Sequence, residues 1–138
     1  MIKVETAEQM FKETQRNLPV DIAILSAAVS DFKVRKPSNI KIKKENYINL
    51  NLEKNIDILN YVSNHNSLRP KLVIGFAAET NNIENNAKKK LTEKNCDWLI
   101  ANDVSNKSIG FESDFNEVTI FYKDNKINSE KLSMKKKS

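Results

Sequence analysis

Lys90 and Lys94 stand four positions apart in a segment patterned as a helix, so their ammonium groups share one stripe, a turn apart. Read from the residues alone, lysines in a last turn oppose the dipole of their own helix. Other lysines gather in short clusters at Lys41, Lys43 and Lys44, at Lys88 to Lys90, and at Lys135 to Lys137, within a net charge of +5. Clusters of that size suit a triphosphate, a nucleic acid or solvated faces. The aromatic interleaving that stacks bases is absent, so a nucleic acid is not the expected partner. Glycine occurs only at Gly75 and Gly110, and neither common glycine-rich phosphate loop can be built from that. Any phosphate would be held by lysines, side-chain donors or helix amino termini.

A βαβ unit over residues 71–104 positions the lysine pair. Two short apolar runs, residues 72–78 and 98–101, are joined by one helix's length of polar-rich chain. The strands run parallel, which puts residues 76–80 beside residues 102–104 at the sheet edge where open α/β sheets bind ligands. Between them Thr80 or Asn81 can cap a helix reaching about Lys94, with Ile83, Ala87 and Leu91 at i, i+4 and i+8 as its core face. Upstream, Ile2 and Val4 alternate in a very short strand, and Thr6 with Gln9 has capping-box spacing for a helix to about Leu18. Residues 21–26 form a short buried strand that runs into Ala27-Ala28-Val29-Ser30-Asp31-Phe32. Two alanines leave room for a ligand to approach the backbone and Asp31 supplies an acceptor, although for this piece alone tight packing followed by a turn aspartate is the favoured reading.

Residues 33–40, with Pro37, read as a loop. Residues 41–44 and 47–52 alternate apolar and polar and predict an antiparallel ribbon over residues 40–52, a flap or dimer arm. Asn55 opens a short helix to Val62, and His65 follows in a polar turn as a structural histidine with no second metal ligand nearby. Cys96 reads as a packed thiol, while Trp98 suits core or surface. Residues 104–116 form a loop, residues 117–122 a strand, and Asp124-Asn125 a turn into Lys126-Ile127, hence a carboxyl-terminal hairpin. The tail from Ser129 has helix-forming residues with little apolar surface.

At 138 residues the chain is expected to be one domain. No apolar run approaches the roughly 18 residues that span a membrane, and no amino-terminal segment has the zones of a signal peptide. A single cysteine excludes an internal disulfide and fits a reducing compartment. Pattern alone therefore gives a cytoplasmic α/β domain with a candidate anion site.

The motifs carry more. Ala27-Ala28-Val29-Ser30-Asp31-Phe32, Lys41-Ile42-Lys43-Lys44, Asn55-Ile56-Asp57-Ile58-Leu59, Gly75-Phe76-Ala77-Ala78-Glu79-Thr80, Ala101-Asn102-Asp103-Val104 and the series Phe111, Ser113, Asp114, Asn116 occur in order. Over residues 2–128 they closely resemble phosphopantothenate-cysteine ligase, the synthetase half of bacterial bifunctional phosphopantothenoylcysteine decarboxylase/synthetase. The resemblance implies an incomplete Rossmann-like parallel sheet with helices on both faces, the antiparallel ribbon and the hairpin. It also implies CTP-dependent joining of 4'-phosphopantothenate and cysteine through an acyl-cytidylate, in coenzyme A synthesis. By motif, Lys41 resembles the lysine that stabilises the phosphates during activation. Lys90 and Lys94 resemble the triphosphate pair, Ser26, Ala27 and Asp31 resemble nucleotide contacts, and Asn55, Ile56, Asp57, Ile58 and Phe76 resemble the rest of the cytidine pocket. Magnesium would accompany the triphosphate with unassigned protein ligands, and no FMN is expected in this domain.

Ile56 stands where the family commonly has proline, and the carboxyl-terminal helix is short and polar beside the family's pattern. The family's first strand, its glycine-containing loop, the asparagine implicated in turning over the acyl-cytidylate and its second strand have no counterpart here. In a strand order of 3-2-1-4-5, residues 1–5 would be strand three and residues 21–26 strand four, leaving the latter with a raw edge that recruits partners. The expected partners are therefore a second copy of the chain, a separate amino-terminal synthetase or decarboxylase chain, or both. The alternative is a noncatalytic nucleotide-binding remnant or subunit.

Overall fold

The structure is a computed structural model that describes residues 1–38, 40–41, 49–105, 115–124 and 132–135. Its elements are α1 (Ala7–Asn17), β1 (Ile22–Leu25), β2 (Phe32–Val34), β3 (Leu52–Lys54), α2 (Ile58–Ser63), β4 (Leu72–Glu79), α3 (Ile83–Lys94), β5 (Trp98–Asp103), β6 (Phe115–Tyr122) and β7 (Leu132–Lys135). Five strands form one sheet in the order β1-β4-β5-β6-β7, and β2 pairs with β3 separately. β1, β4 and β5 run parallel, whereas β6 and β7 are antiparallel additions. The fold is α/β, and the expected βαβ unit is its centre. Ala78 sits opposite Asn102 and Glu79 opposite Asp103, so both strand ends lie at one edge.

Alternation along β4 decides where the core forms. Val73 and Ala77 are buried and meet α2 and α3 through Ile58, Val62, Ala87 and Leu91, with Leu99, Ala101 and Phe121 completing the cluster. Gly75 lies between them in the same row. A Cβ there would stand 2.6 Å from Leu59 Cδ2 and 3.1 Å from Leu99 Cδ1, so glycine lets α2 lie close to the sheet. Cys96 is fully buried beside this cluster, and burial pushes its thiol above the usual range. It is the packed thiol expected of it. β1, expected to be buried, is an exposed strand, with Ile22 56% and Ile24 63% exposed, and on the same parity of β4 Ile74 is buried at 7% while Phe76 is 38% exposed.

Several local expectations change. Residues 1–5 form no strand, and among the described residues Ile2 and Val4 have no neighbouring strand to complete a ladder with. The helix after them keeps its capping box: Gln9 N–H donates to Thr6 Oγ1 at 3.1 Å and Thr6 N–H to Gln9 Oε1 at 3.1 Å. Asn55 does not cap α2. Its side chain donates to the Ser30 carbonyl at 2.8 Å, and Asp57 takes the cap by accepting from Asn60 N–H at 2.9 Å. Asn82, in the left-handed region at φ 46°, precedes α3 in place of Thr80 or Asn81.

The ribbon's base lies further back in the chain than expected. Phe32–Val34, placed within or beside a loop by the sequence, pairs with Leu52–Lys54, and Glu53 draws in Lys33 at 3.3 Å and Arg35 at 3.8 Å. Cross-strand pairing rewards even a three-residue alternation once a partner is supplied. The core of the expected ribbon, residues 42–48, lies outside the described residues, as do 106–114 and 125–131. β6 begins at Phe115, inside the expected loop, and its partner is Leu132–Lys135, so part of the tail is an edge strand and not a frayed helix. His65 is structural: Nδ1 accepts from Leu68 N–H at 3.0 Å and its ring meets Tyr61 edge-on at 5.4 Å. Trp98, left open by sequence, is half-buried edge-on against Tyr122 at 5.2 Å.

Arg69 fastens the end of the sheet opposite the strand carboxyl ends. It donates to the carbonyls of Ser63 at 2.7 Å, Pro70 at 2.9 Å and Asn95 at 3.1 Å, and to the Asp97 carboxylate at 3.0 and 3.1 Å. Asp97 also accepts from Val73 N–H at 2.8 Å. One guanidinium thus ties the ends of α2 and α3 to the starts of β4 and β5. Replacing Arg69 with methionine leaves that carboxylate and three carbonyls short of a donor. We expect a loss of about 2–3 kcal/mol in urea unfolding, with lysine at the same position recovering less than half because it lacks the planar fork. A loss below about 0.5 kcal/mol would show that the fastening is dispensable.

Candidate functional site

A cleft of about 600 Å3 opens at the carboxyl ends of β1 and β4. Its floor follows from the strand ends: Ser26 and Ala27 continue β1, and Phe76 belongs to β4. One wall is the approach to α2, where Asn55, Ile56, Asp57 and Ile58 follow one another, and another is the α3 face bearing Lys90 and Lys94. Asp31 enters beyond β1. Asn55 holds that side together, since its backbone N–H donates to the Asp31 carbonyl at 2.9 Å while its amide grips Ser30. Every residue that the sequence proposed as a nucleotide contact lines this cleft, with one exception. Lys41 is exposed on the far side of the ribbon's base in sequence and is not among the lining residues.

The two lysines do not sit bare. Lys90 Nζ lies 2.8 Å from Glu79 Oε1, and Asn86 Nδ2 donates to Glu79 Oε2 at 3.0 Å. The Lys90 hydrogen bond, supported by Asn86 and opposed by burial, holds the Glu79 carboxyl below its ordinary range. Lys94 is paired with Asp57, and that hydrogen bond raises its own proton affinity, with burial opposing and the fields of Asp57, Asp31 and Glu93 adding to it. The lysine stripe is real, and each member already has a carboxylate.

Sequence reasoning missed Glu79 as the partner of Lys90, although it closes the Gly-Phe-Ala-Ala-Glu-Thr segment that was singled out. It also missed the contribution of α1, whose Met10, Thr14 and Asn17 line the cleft along with Leu18 and Val20. The amphipathic pattern of α1 signals a buried stripe but not which cavity that stripe borders. Among the described residues no group of three histidine, cysteine or acidic side chains is arranged to hold a metal ion, and no helix is long and apolar enough to cross a membrane. The chemistry on offer is anion binding by paired lysines next to an apolar pocket, with the aromatic ring of Phe76 on its lining.

Comparison with known proteins agrees with this architecture. A family model described as the DNA/pantothenate metabolism flavoprotein C-terminal domain matches residues 1–138. The coenzyme A biosynthesis bifunctional protein CoaBC of Bacillus subtilis is 43% identical over 105 residues, which are 75% of this chain and 25% of that protein. Its counterpart in Haemophilus influenzae is 38% identical over 138 residues, 99% of this chain and 33% of the relative. The chain thus spans a quarter to a third of the length of these curated relatives. Among solved structures, the C-terminal domain of a CoaBC protein superposes with a TM-score of 0.63 at 32% identity, over 96% of this chain and 55% of that one. A Cab2 mutant in complex with phosphopantothenate-cysteine gives a TM-score of 0.66 at 16% identity, over 99% of this chain and 46% of that one, a likeness of fold alone. On the full-length family match and the identity to CoaBC, the chain belongs to the DNA/pantothenate metabolism flavoprotein C-terminal domain family.

Proposed function

We propose that this chain carries the nucleotide half of a CTP-dependent ligase that joins 4'-phosphopantothenate to cysteine in coenzyme A biosynthesis. What supports the reading is the convergence on one cleft of the Ser26-Ala27 turn, Asp31, the Asn55-to-Ile58 wall, Phe76 and the Lys90–Lys94 pair, within a chain that belongs to the family. A carboxylate is a poor electrophile until one of its oxygens joins a good leaving group. Attack of the phosphopantothenate carboxylate on the α-phosphate of CTP releases pyrophosphate and leaves an acyl-cytidylate. The cysteine amine then attacks the acyl carbon, the C–O bond to phosphate breaks, a proton leaves the nitrogen and CMP departs. Charge on the departing pyrophosphate needs fixed cations, the role given to Lys90 and Lys94, while Asn55 to Ile58 and Phe76 receive the cytidine. Magnesium enters with the triphosphate as part of the substrate, and the chain works in the cytoplasm.

Lys41 is assigned to the activation step, at the root of a flap. It is not among the residues that line the cleft, so its role rests on the motif resemblance alone. That separation is also what favours the second reading, in which the chain binds nucleotide without turning it over. The open edge of β1, with Ile22 and Ile24 exposed beside it, supports a partner chain supplying the strands that the family places there, or a second copy.

Calorimetric titration with CTP and magnesium, using ATP as control, is expected to show selective CTP binding. Lys90→Ala should weaken it about tenfold or more, the loss of one charge-assisted contact, and Lys41→Ala should change affinity by less than about threefold. Equal affinity for ATP, or no binding by the folded chain, would sink the reading. Mixing the chain with a polypeptide carrying the family's amino-terminal strands and loop should then yield phosphopantothenoylcysteine from CTP, phosphopantothenate and cysteine. Selective CTP binding with no product in the mixture would leave the noncatalytic reading in its place.

A further inference from the structure

Asp57 does two things at once. Through Oδ1 it accepts the Asn60 N–H and caps α2, and through Oδ2 it accepts from Lys94 Nζ near the end of α3. One carboxylate therefore bridges two walls of the cleft, and it does so by occupying a cation that an anionic ligand would need. Lys94 also feels Asp31 and Glu93, both on the cleft lining. Without ligand, the lining holds three carboxylates, Asp31, Asp57 and Glu93, against two ammonium groups, Lys90 and Lys94.

The two lysine pairs differ in how firmly they are built. The Glu79 side chain is only 12% exposed and is anchored a second time by Asn86, so Lys90 has a fixed partner. Lys94 and Asp57 are 33% and 39% exposed, so water can take over from either partner, and an exposed ion pair of this kind is readily exchanged. An incoming phosphate oxygen could replace Asp57 at Lys94 without unseating α2, because the cap uses the other carboxylate oxygen.

We propose that Asp57 and Lys94 form a latch across the cleft, which a phosphate-bearing ligand must open before Lys94 can bind it. Asp57 is then a positioning residue that lowers the affinity of the cleft for polyphosphates while holding Lys94 ready in the empty site. Only ligands that reach Lys94 meet the latch, and an uncharged nucleoside does not. Apparent affinity for a state that must first be released is reduced by the fraction already open. Lys94 released from Asp57 also remains a cation at neutral pH, since its unperturbed range lies far above.

This rests on the nucleotide reading for the identity of the natural ligand, so the test uses a probe without a base. Tripolyphosphate, CTP and cytidine would each be titrated into the wild-type chain, Asp57→Asn and the double variant Asp57→Asn with Lys94→Ala. Asparagine caps helices as well as aspartate, so the thermal midpoint of Asp57→Asn should match the wild type. Tripolyphosphate should bind Asp57→Asn about fivefold more tightly, cytidine should show no such gain, and the tripolyphosphate gain should vanish in the double variant. Tighter tripolyphosphate binding without preference for CTP over ATP would uphold the latch and overturn the CTP assignment. Unchanged or weaker tripolyphosphate binding in Asp57→Asn, or a gain that survives loss of Lys94, would overturn the latch whatever CTP does. A merely structural role for Asp57 predicts weaker binding and lower stability, the opposite sign.

Discussion

The Arg69 guanidinium and the Asp97 carboxylate set the frame on which the cleft is built. Their contacts join the chain after α2 to the chain after α3 at the start of β4 and β5. A parallel pair has no hairpin to fix its register, so something outside the ladder must do so. Here one side chain does it by collecting carbonyls that the helix ends would otherwise leave without donors. With both strand starts fixed, the register carries through to Ala78 beside Asn102 and Glu79 beside Asp103. The position of Glu79, and through it the ammonium of Lys90, is thus inherited from an interaction at the opposite end of the sheet.

The cleft follows a second constraint, that of small residues in the row that faces the helices. Gly75 leaves the space that Leu59 occupies, which draws α2 against β4. Asp57, immediately ahead of α2, is carried in with it and comes within reach of Lys94. A cluster that looks electrostatic therefore depends on a packing condition, because ion pairs this exposed are too weak to pull two helices together. Packing brings the charges near, and the charges then decide what the cleft accepts.

The sequence disclosed the parts of this arrangement that repeat. The apolar run of β4, the Ile83, Ala87 and Leu91 stripe, the Thr6 and Gln9 capping box and the buried thiol of Cys96 were all legible, since each is a local pattern with a local cause. What failed was whatever depended on a distant partner. Residues 1–5 alternate like a strand but have no neighbour to pair with, whereas Phe32–Val34 is short and followed by a loop yet finds Leu52–Lys54. Leu132–Lys135 likewise becomes a strand only because β6 offers it an edge. At the site, sequence spacing put Lys90 and Lys94 on one stripe. It could not assign their counter-ions, because Glu79 and Asp57 lie 11 and 37 positions away and reach them only through the fold. The nucleotide roles given to the cleft residues come from the motif resemblance, which no periodicity or spacing supplies.

The cleft and the open edge of the sheet are not separate features. Val20 and Ile24 line the cleft, and the same residues are 39% and 63% exposed beside the edge of β1 that pairs with no strand among the described residues. An edge strand with exposed apolar neighbours favours pairing with another chain. Any strand or second copy that pairs with β1 must therefore also cover one margin of the cleft, removing water from it. Removing water strengthens each charge interaction inside, those of Lys90 and Lys94 included. On the proposed reading, pairing along β1 and anion binding in the cleft are therefore coupled, and phosphate would bind differently with and without a strand at that edge.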